Sequence, residues 1–447
     1  MIPPGTAQRI LVRKVCMTRL QSPSLLPNLV AGFSSSMKER RYLRCNQALA
    51  FMAVLVMAMV AARPAEAQTL SVLYNLKGSP DGSSPTAGLV RDAAGNLYGT
   101  THVGGTNNGT VFEISSQGTE RILYAFKDIP DGSEPWGAVV RDQAGNLYGT
   151  TANGGAFNFG TVFKVTPTGQ GRVLYSFSGP PDGATPFAGL IRDSAGNLYG
   201  TTSAGGSGSC NIGGLVGCGT VFMVSASGTE TVLYSFAGGT DGLRPMASLL
   251  RDPAGNLYGT TTQGGAAHCS DLSVSGCGTV FMLSKTGIET VLHSFAGYPD
   301  DGEGPWADLI FGAKGVLYGT TMMGGAYGDG TVFKVKVASH KETVMYSFSG
   351  GSTDGANPAG GLTRDAAGNF YGITQAGGGA VCAGSGCGTI FMLDKNGKET
   401  VLSSFAVGND AAVPSGDLIR DPAGNLYGTT SNGGTSGGPG TVYKLIP

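Results

Sequence analysis

The phrase Asn-Leu-Tyr-Gly-Thr-Thr at residues 96–101 returns, with small changes, around Tyr148, Tyr199, Tyr258, Tyr318, Tyr371 and Tyr427, at successive spacings of 50, 51, 59, 60, 53 and 56 residues. Seven near-copies of one unit confine the chain to architectures in which each copy packs against the next. The apolar segments within a unit are short and bounded by Gly, Asp and Asn, with no helical 3.6-residue period. The second copy reads as four strands, at residues 138–141, 146–151, 161–165 and 172–177. Asp142-Gln143-Ala144-Gly145 makes a tight hairpin between the first two, and residues 166–171 make another between the last two. A D-G-x-x-P turn, such as Asp131-Gly132-Ser133-Glu134-Pro135, joins one unit to the next.

Four sequential antiparallel strands in a unit of this length predict the blade of a β-propeller. The chain ends on a third strand, Thr441-Val442-Tyr443-Lys444-Leu445. The segment Leu70-Ser71-Val72-Leu73-Tyr74 matches the fourth strand of the other copies. The expected fold is therefore all-β: a seven-bladed propeller, four antiparallel strands per blade, closed by the N-terminal strand joining the C-terminal blade. Closure of this kind removes the free edges that a β-solenoid, the alternative, would keep.

The run G-N-L-Y-G-T-T, then G-G, G-T-V-F and V-L-Y-S-F, resembles the GloVer-type tandem repeat of exported bacterial proteins, over residues 69–447. That resemblance implies export and, in some members, surface-anchoring tails; it implies no particular activity. The chain stops after its last repeat, unlike the anchored members. The D-x-A-G-N-L-Y hairpin is similar, at the level of shape, to those of NHL-type and streptogramin-lyase-type propellers.

Upstream of the repeats the composition changes. Lys38, Arg40, Arg41 and Arg44 precede an apolar run from Ala48 to Ala62, followed by Ala65-Glu66-Ala67. This is the order of a secretory signal peptide, and the apolar run is shorter than the roughly 20 residues a membrane-spanning helix needs. Residues 37–67 are expected to be that signal, 1–36 a non-native or unstructured extension, and 68–447 the single propeller. The 76 glycines, the 13% of charged residues and a net charge of −1 suit strands and turns and argue against a nucleic-acid partner. After signal cleavage no membrane association is expected, and the chain is expected to act as a monomer in the periplasm, at the cell surface or outside the cell.

Six of the eight cysteines fall in three local pairs: Cys210 with Cys218, Cys269 with Cys277, and Cys382 with Cys387. Each pair lies between the second and third strands, in connections of 12, 12 and 9 residues where the other copies have 3 to 5. In an exported chain this pattern predicts three disulfides that rigidify loops. Zinc is disfavoured there because His268 alone adjoins these thiols.

Strand alternation puts these long connections and the D-G-x-x-P turns on one face, which is therefore the expected ligand face. The residue after the fixed proline varies there: Thr86, Trp136, Phe187, Met246, Trp306, Ala359 and Ser415. Aromatic residues in this slot fit a sugar or peptide contact, and packing between blades is the favoured reading. Asp308 and Asp417 replace small residues of the innermost strand; they fit a channel carboxylate pair or cation site, with satisfaction of backbone amides favoured. The D-G series lacks calcium-loop density and reads as turn capping. The Arg-Asp of each hairpin reads as an inter-blade ion pair, and His293 as a simple replacement of the repeat's Tyr.

No H-E-x-x-H or P-loop is present. No cofactor or resident metal is expected. The chain reads as a binding or interaction scaffold for a glycan, peptide or protein. The alternatives are a propeller lyase or hydrolase on polysaccharide or peptide, using Asp308, Asp417 and His102, or a structural cell-surface protein.

Overall fold

A computed structural model describes residues 68–266, 269, 276–379, 386–406, 411–433 and 438–447. It contains seven four-stranded antiparallel sheets. Blade 1 comprises Val90–Arg91, Leu97–Thr101, Thr110–Ile114 and Glu120–Ala125, from the innermost strand outward, and blades 2 to 6 repeat that order. Blade 7 takes Ala411–Arg420, Leu426–Gly433 and Thr441–Ile446 from the chain's end and Thr69–Asn75 from the start of the repeats. The last two pair from Thr69↔Ile446 to Asn75↔Thr441, so the ring closes as the repeat pattern predicts. The 3-10 turn Gly239–Asp241 is the one helical element among the described residues. The extension and signal segment expected at 1–67 lie outside them.

Each letter of L-Y-G-T-T has a separate physical task. Leu257 faces the core at 3% exposure. Gly259 lies directly opposite Phe281 of the third strand, and a Cβ there would sit 2.7 Å from Phe281 Cζ. The same close approach recurs in the other blades, with Tyr443 in place of Phe beside Gly428. Glycine is required because the ring lies flat across the strand where a side chain would stand. The second threonine pairs with the threonine that opens the third strand, as Thr261 with Thr279 at 2.9 Å. The first threonine reaches outside its own blade. Thr150 Oγ1 donates to the carbonyl of Ala188 at 2.7 Å, and Thr429 Oγ1 donates to that of Ala87, across the ring closure, at 3.1 Å.

These carbonyls explain a difference from the sequence reading. The innermost strand of blade 2 pairs only at Val140–Arg141, not from Ala138, because the preceding residues turn toward the axis and bond the neighbouring blade instead. A two-residue ladder, Gly132–Ser133 with Asn153–Gly154, continues the pairing beyond the proline. In blade 7 the two pieces merge into one strand with an irregularity between Ser415 and Ile419.

The core lies between blades rather than within them. The phenylalanine ending each unit packs edge-on against the third-strand ring of the next blade: Phe126 on Phe163 at 5.0 Å, Phe236 on Phe281 at 5.2 Å, Phe348 on Phe391 at 5.0 Å. The participants are almost fully buried, and each such ring adds edge-to-face attraction to its area burial. At the ring closure Leu76, 4% exposed, takes the phenylalanine's place in the repeat.

Two polar motifs tie the outer parts together. In each D-x-A-G-N-L-Y hairpin the aspartate accepts from the following Asn and Tyr; Asp92 takes Asn96 N, Asn96 Nδ2 and Tyr98 OH at 2.9, 3.0 and 3.1 Å. Burial works against ionisation of Asp92, but these bonds and the nearby Arg141 hold its carboxyl below the usual range. The arginine of each hairpin stacks over the tyrosine of the preceding blade, Arg141 over Tyr98 at 5.4 Å and Arg91 over Tyr427 at 5.8 Å. The predicted Arg–Asp ion pair is therefore replaced by a cation lying on a ring whose hydroxyl binds the aspartate. In blade 5, Phe311 stands where the others have Arg and meets Tyr258 edge-on.

The second motif joins the D-G turns to the outermost strands. Tyr234 OH donates to Asp241 Oδ2 at 2.9 Å, and Ala237 N donates to the same oxygen at 2.9 Å. Turn capping is thus the role of these aspartates, with the tyrosine as an added partner. A glutamate of the next blade approaches the same carboxylate: Glu289 beside Asp241, Glu230 beside Asp182, Glu399 beside Asp354.

Gly259→Ala is expected to cost about 1–3 kcal/mol through overpacking against Phe281. The double variant Gly259→Ala/Phe281→Leu is expected to regain part of that loss. Urea unfolding of both measures the coupling, and an unchanged midpoint for Gly259→Ala would contradict the packing account.

Candidate functional site

The small innermost-strand residues meet at the axis. A Cβ on Gly137 would lie 2.5 Å from the backbone of Ala188, so neighbouring inner strands touch. Two aspartates stand in this ring. Asp308 Oδ1 accepts from Ser248 N at 2.6 Å, and Asp417 Oδ1 accepts from Gly361 N at 2.5 Å. Gly361, in blade 6, has Asp308 and Asp417 of the flanking blades on either side, and a Cβ there would lie 2.9 Å from Asp417 Oδ1. That gap lets the two carboxyls bond to each other.

Each aspartate thus bonds a backbone amide, and the two carboxyls act on each other. Burial raises Asp308. Asp417 is pushed up to about 8, first by burial and then by the charge of Asp308. The two share a proton and titrate as a unit. The inner strands flank them, and both residues are half-buried.

The variable slot after the proline lies further out on the loop face. Trp136 stacks against His102 with centroids 4.0 Å apart and meets Phe187 edge-on at 5.8 Å. His102 Nε2 is 3.6 Å from Glu134 Oε2. Burial lowers the His102 pKa, while Glu134 works against that shift. Trp136 thus packs against His102 of blade 1 and Phe187 of blade 3. Trp306 differs: it is 39% exposed. Phe187 and Met246 are half-buried. The contacts of His102 are with Glu134 and Trp136, whereas Asp308 and Asp417 bond backbone amides and each other, so the three do not assemble as an acid–base set.

Sequence reasoning missed a second variable position, the residue before the proline. It has positive φ in all seven copies: Ser84, Glu134, Thr185, Arg244, Gly304, Asn357 and Val413, between 52° and 62°. Its backbone stitches blades together. Glu134 N donates to Asn108 O of blade 1, and Ala152 N of blade 2 donates to Glu134 O, both at 2.9 Å. With the backbone so held, the side chain is free to vary, and it varies in charge and size. The adjacent D-G turn was the available signal.

Also missed was the apolar character of the loops. Of the eight exposed large hydrophobic residues among the described residues, Ile129, Phe157, Val216, Tyr298, Trp306 and Tyr327 lie on the loop face; Ile288 and Phe311 do not. Tyr327 is 64% exposed. The Cys210–Cys218 disulfide spans 5.0 Å between Cα atoms and encloses a small hairpin, Asn211–Ile212 with Leu215–Val216, that carries Val216. Cys269–Cys277 is also bonded. Cys387 is fully buried, while its expected partner Cys382 lies outside the described residues, as does His268.

The Gloeobacter/Verrucomicrobia repeat matches the chain at residues 59–212, 208–379 and 268–447. The chain belongs to that family. No curated protein matches it. Among solved structures, the repeats are similar to the extracellular domain of a protein of B. thetaiotaomicron described as a one-component system, at 9% identity and a TM-score of 0.50. That match covers 83% of this chain and 39% of the other, so the chain spans well under half of that protein. A protein described as a gluconolactonase matches at 14% identity and a TM-score of 0.40, covering 86% of this chain and 96% of the other. Puromycin hydrolase matches at 14% identity and 0.44, covering 78% and 50%. At these identities the likeness is one of fold.

The buried acids set a pH dependence. Burial and a neighbouring aspartate push Glu230, Glu289 and Glu399 up to about 7 from 4.5. A carboxyl with a raised folded pKa stabilises fully below its unfolded value, and that stability is lost as pH rises through the folded pKa. These glutamates and the axial pair therefore weaken the fold between about pH 4.5 and 8. The hairpin aspartates, held low, act oppositely and are lost only below their ordinary value of 3.8. Melting temperature is expected to peak near pH 4–5 and to fall toward pH 8. Glu230→Gln/Glu289→Gln/Glu399→Gln should flatten that fall; a melting temperature that rises from pH 5 to 8 would contradict it.

Proposed function

We propose that this repeat protein is an exported ligand-binding propeller whose loop face captures a glycan or peptide through exposed aromatic and aliphatic side chains. The observation that carries this reading is the one-sided distribution of exposed apolar residues: among the described residues, six of eight stand on the loop face. Contiguous or clustered apolar exposure on one face of a rigid scaffold is typical of interaction surfaces. The disulfides at Cys210–Cys218 and Cys269–Cys277 support both a rigid face and an oxidising compartment. The signal-like segment at 37–67 supports export, and no helix among the described residues is long and apolar enough to cross a membrane.

Trp306 and Tyr327 are the chosen probes because both are exposed, so truncating them leaves the core intact. Glycan and peptide arrays followed by calorimetry identify and quantify the ligand. Trp306→Ala and Tyr327→Ala are each expected to weaken binding by about tenfold, on the order of 1.4 kcal/mol, with melting temperature nearly unchanged. Phe311→Ala, away from the loop face, is expected to leave binding intact. Loss of binding in Phe311→Ala, with both loop-face variants unaffected, would reverse the assignment of the face.

A further inference from the structure

The outer motif of Tyr, turn Asp and next-blade Glu carries a histidine between blades 4 and 5. There His293 stands at the tyrosine position, on the strand Glu289–Ser294, with Asp301 in the turn and Glu342 on Lys341–Ser347. His293 Nε2 lies 2.9 Å from Asp301 Oδ2, and donor atoms of all three residues lie within 4.8 Å of one another. In the sister blades the corresponding Tyr hydroxyl is a hydrogen-bond donor whose ordinary pKa is raised further by burial and by its aspartate, which makes it a poor ligand. Imidazole has no such handicap.

The rest of the site is prepared for a cation. Asp301 is held by two backbone amides, Ala296 N on Oδ2 at 2.9 Å and Gly302 N on Oδ1 at 2.7 Å, which orient a ligand without neutralising it. Phe295 meets the imidazole edge-on at 4.8 Å and limits its rotation. Glu342 Oε1 is a buried oxygen with no hydrogen-bond partner. Two carboxylates and a neutral imidazole carry the charge that one divalent cation cancels.

We propose that His293, Asp301 and Glu342 form a divalent transition-metal site of the zinc class that clips the outer strand of blade 4 to that of blade 5. Bonds of about 2.0–2.2 Å require the donors to draw closer than they now stand. Asp301 and His293 are already close enough, and a rotation of Glu342, whose Oε1 has nothing to give up, completes the set. In the bound form Nε2 supplies its lone pair: the proton it shares with Asp301 leaves to solvent as Nδ1 takes one up, so the neutral ring keeps a single proton. Three protein ligands leave room for water as a fourth, and the His293 side chain retains 18% exposure.

The test uses the tag-free, chelator-stripped full chain titrated with zinc chloride by calorimetry, with metal content and melting temperature measured in parallel. One equivalent is expected to bind and to raise the melting temperature. His293→Tyr restores the arrangement of the sister blades, so it is expected to fold normally and to bind zinc roughly 100-fold more weakly. Tyr234→His, which recreates the set with Asp241 and Glu289, is expected to raise the stoichiometry to two. Absence of stoichiometric binding by the parent protein, or equal affinity in a folded His293→Tyr, overturns the proposal.

Discussion

Everything in this ring depends on an aromatic side chain lying across a glycine. The third-strand Phe of each blade occupies the space that a Cβ on the opposing Gly would take. In that position its outer edge meets the closing Phe of the preceding unit. One omitted side chain therefore serves pairing within a blade and packing between blades. The strand loses propensity at that glycine, and the ring burial more than offsets it.

Polar groups follow the same division between neighbours. Thr150 gives its hydroxyl to the next blade's inner strand, Arg141 lies over the preceding blade's Tyr98, and Asp241 receives Tyr234 of one blade beside Glu289 of the next. Each blade leaves some of its polar groups to a neighbour, just as none buries its own core. A seven-fold ring is then the state in which no unit lacks a neighbour. The blade 7 pairing of Thr69–Asn75 with Thr441–Ile446 supplies the last such contact.

Because these interactions occupy the inner strands and the tight-turned face, the loop face is left free to diverge. Glu134, Arg244 and Asn357 occupy one backbone position with three different chemistries, since the amide and carbonyl hold that position whatever the side chain. The same freedom admits a histidine at position 293. Most of the fold was legible in the sequence, since strand, turn and closure signals are local and repeated seven times. The loop face was legible as a region, from its disulfides and length variation. The separate fates of Trp136 and Trp306 were not: both follow the fixed proline, and His102 and Phe187, brought from neighbouring blades, pack against the first.

The sequence by itself determined the blade, the number of blades, the strand that closes the ring, and which face carries variation. Periodicity and turn chemistry are read within one unit, and seven units say the same thing. Tertiary structure alone decided which side chains meet across units. It brought Asp308 and Asp417 together over Gly361, although 109 positions separate them in the chain. It joined His293 to Glu342 of the next blade, and it set Arg141 on a tyrosine ring instead of an aspartate. Such contacts depend on the angle at which one blade faces the next, and no local pattern encodes that angle.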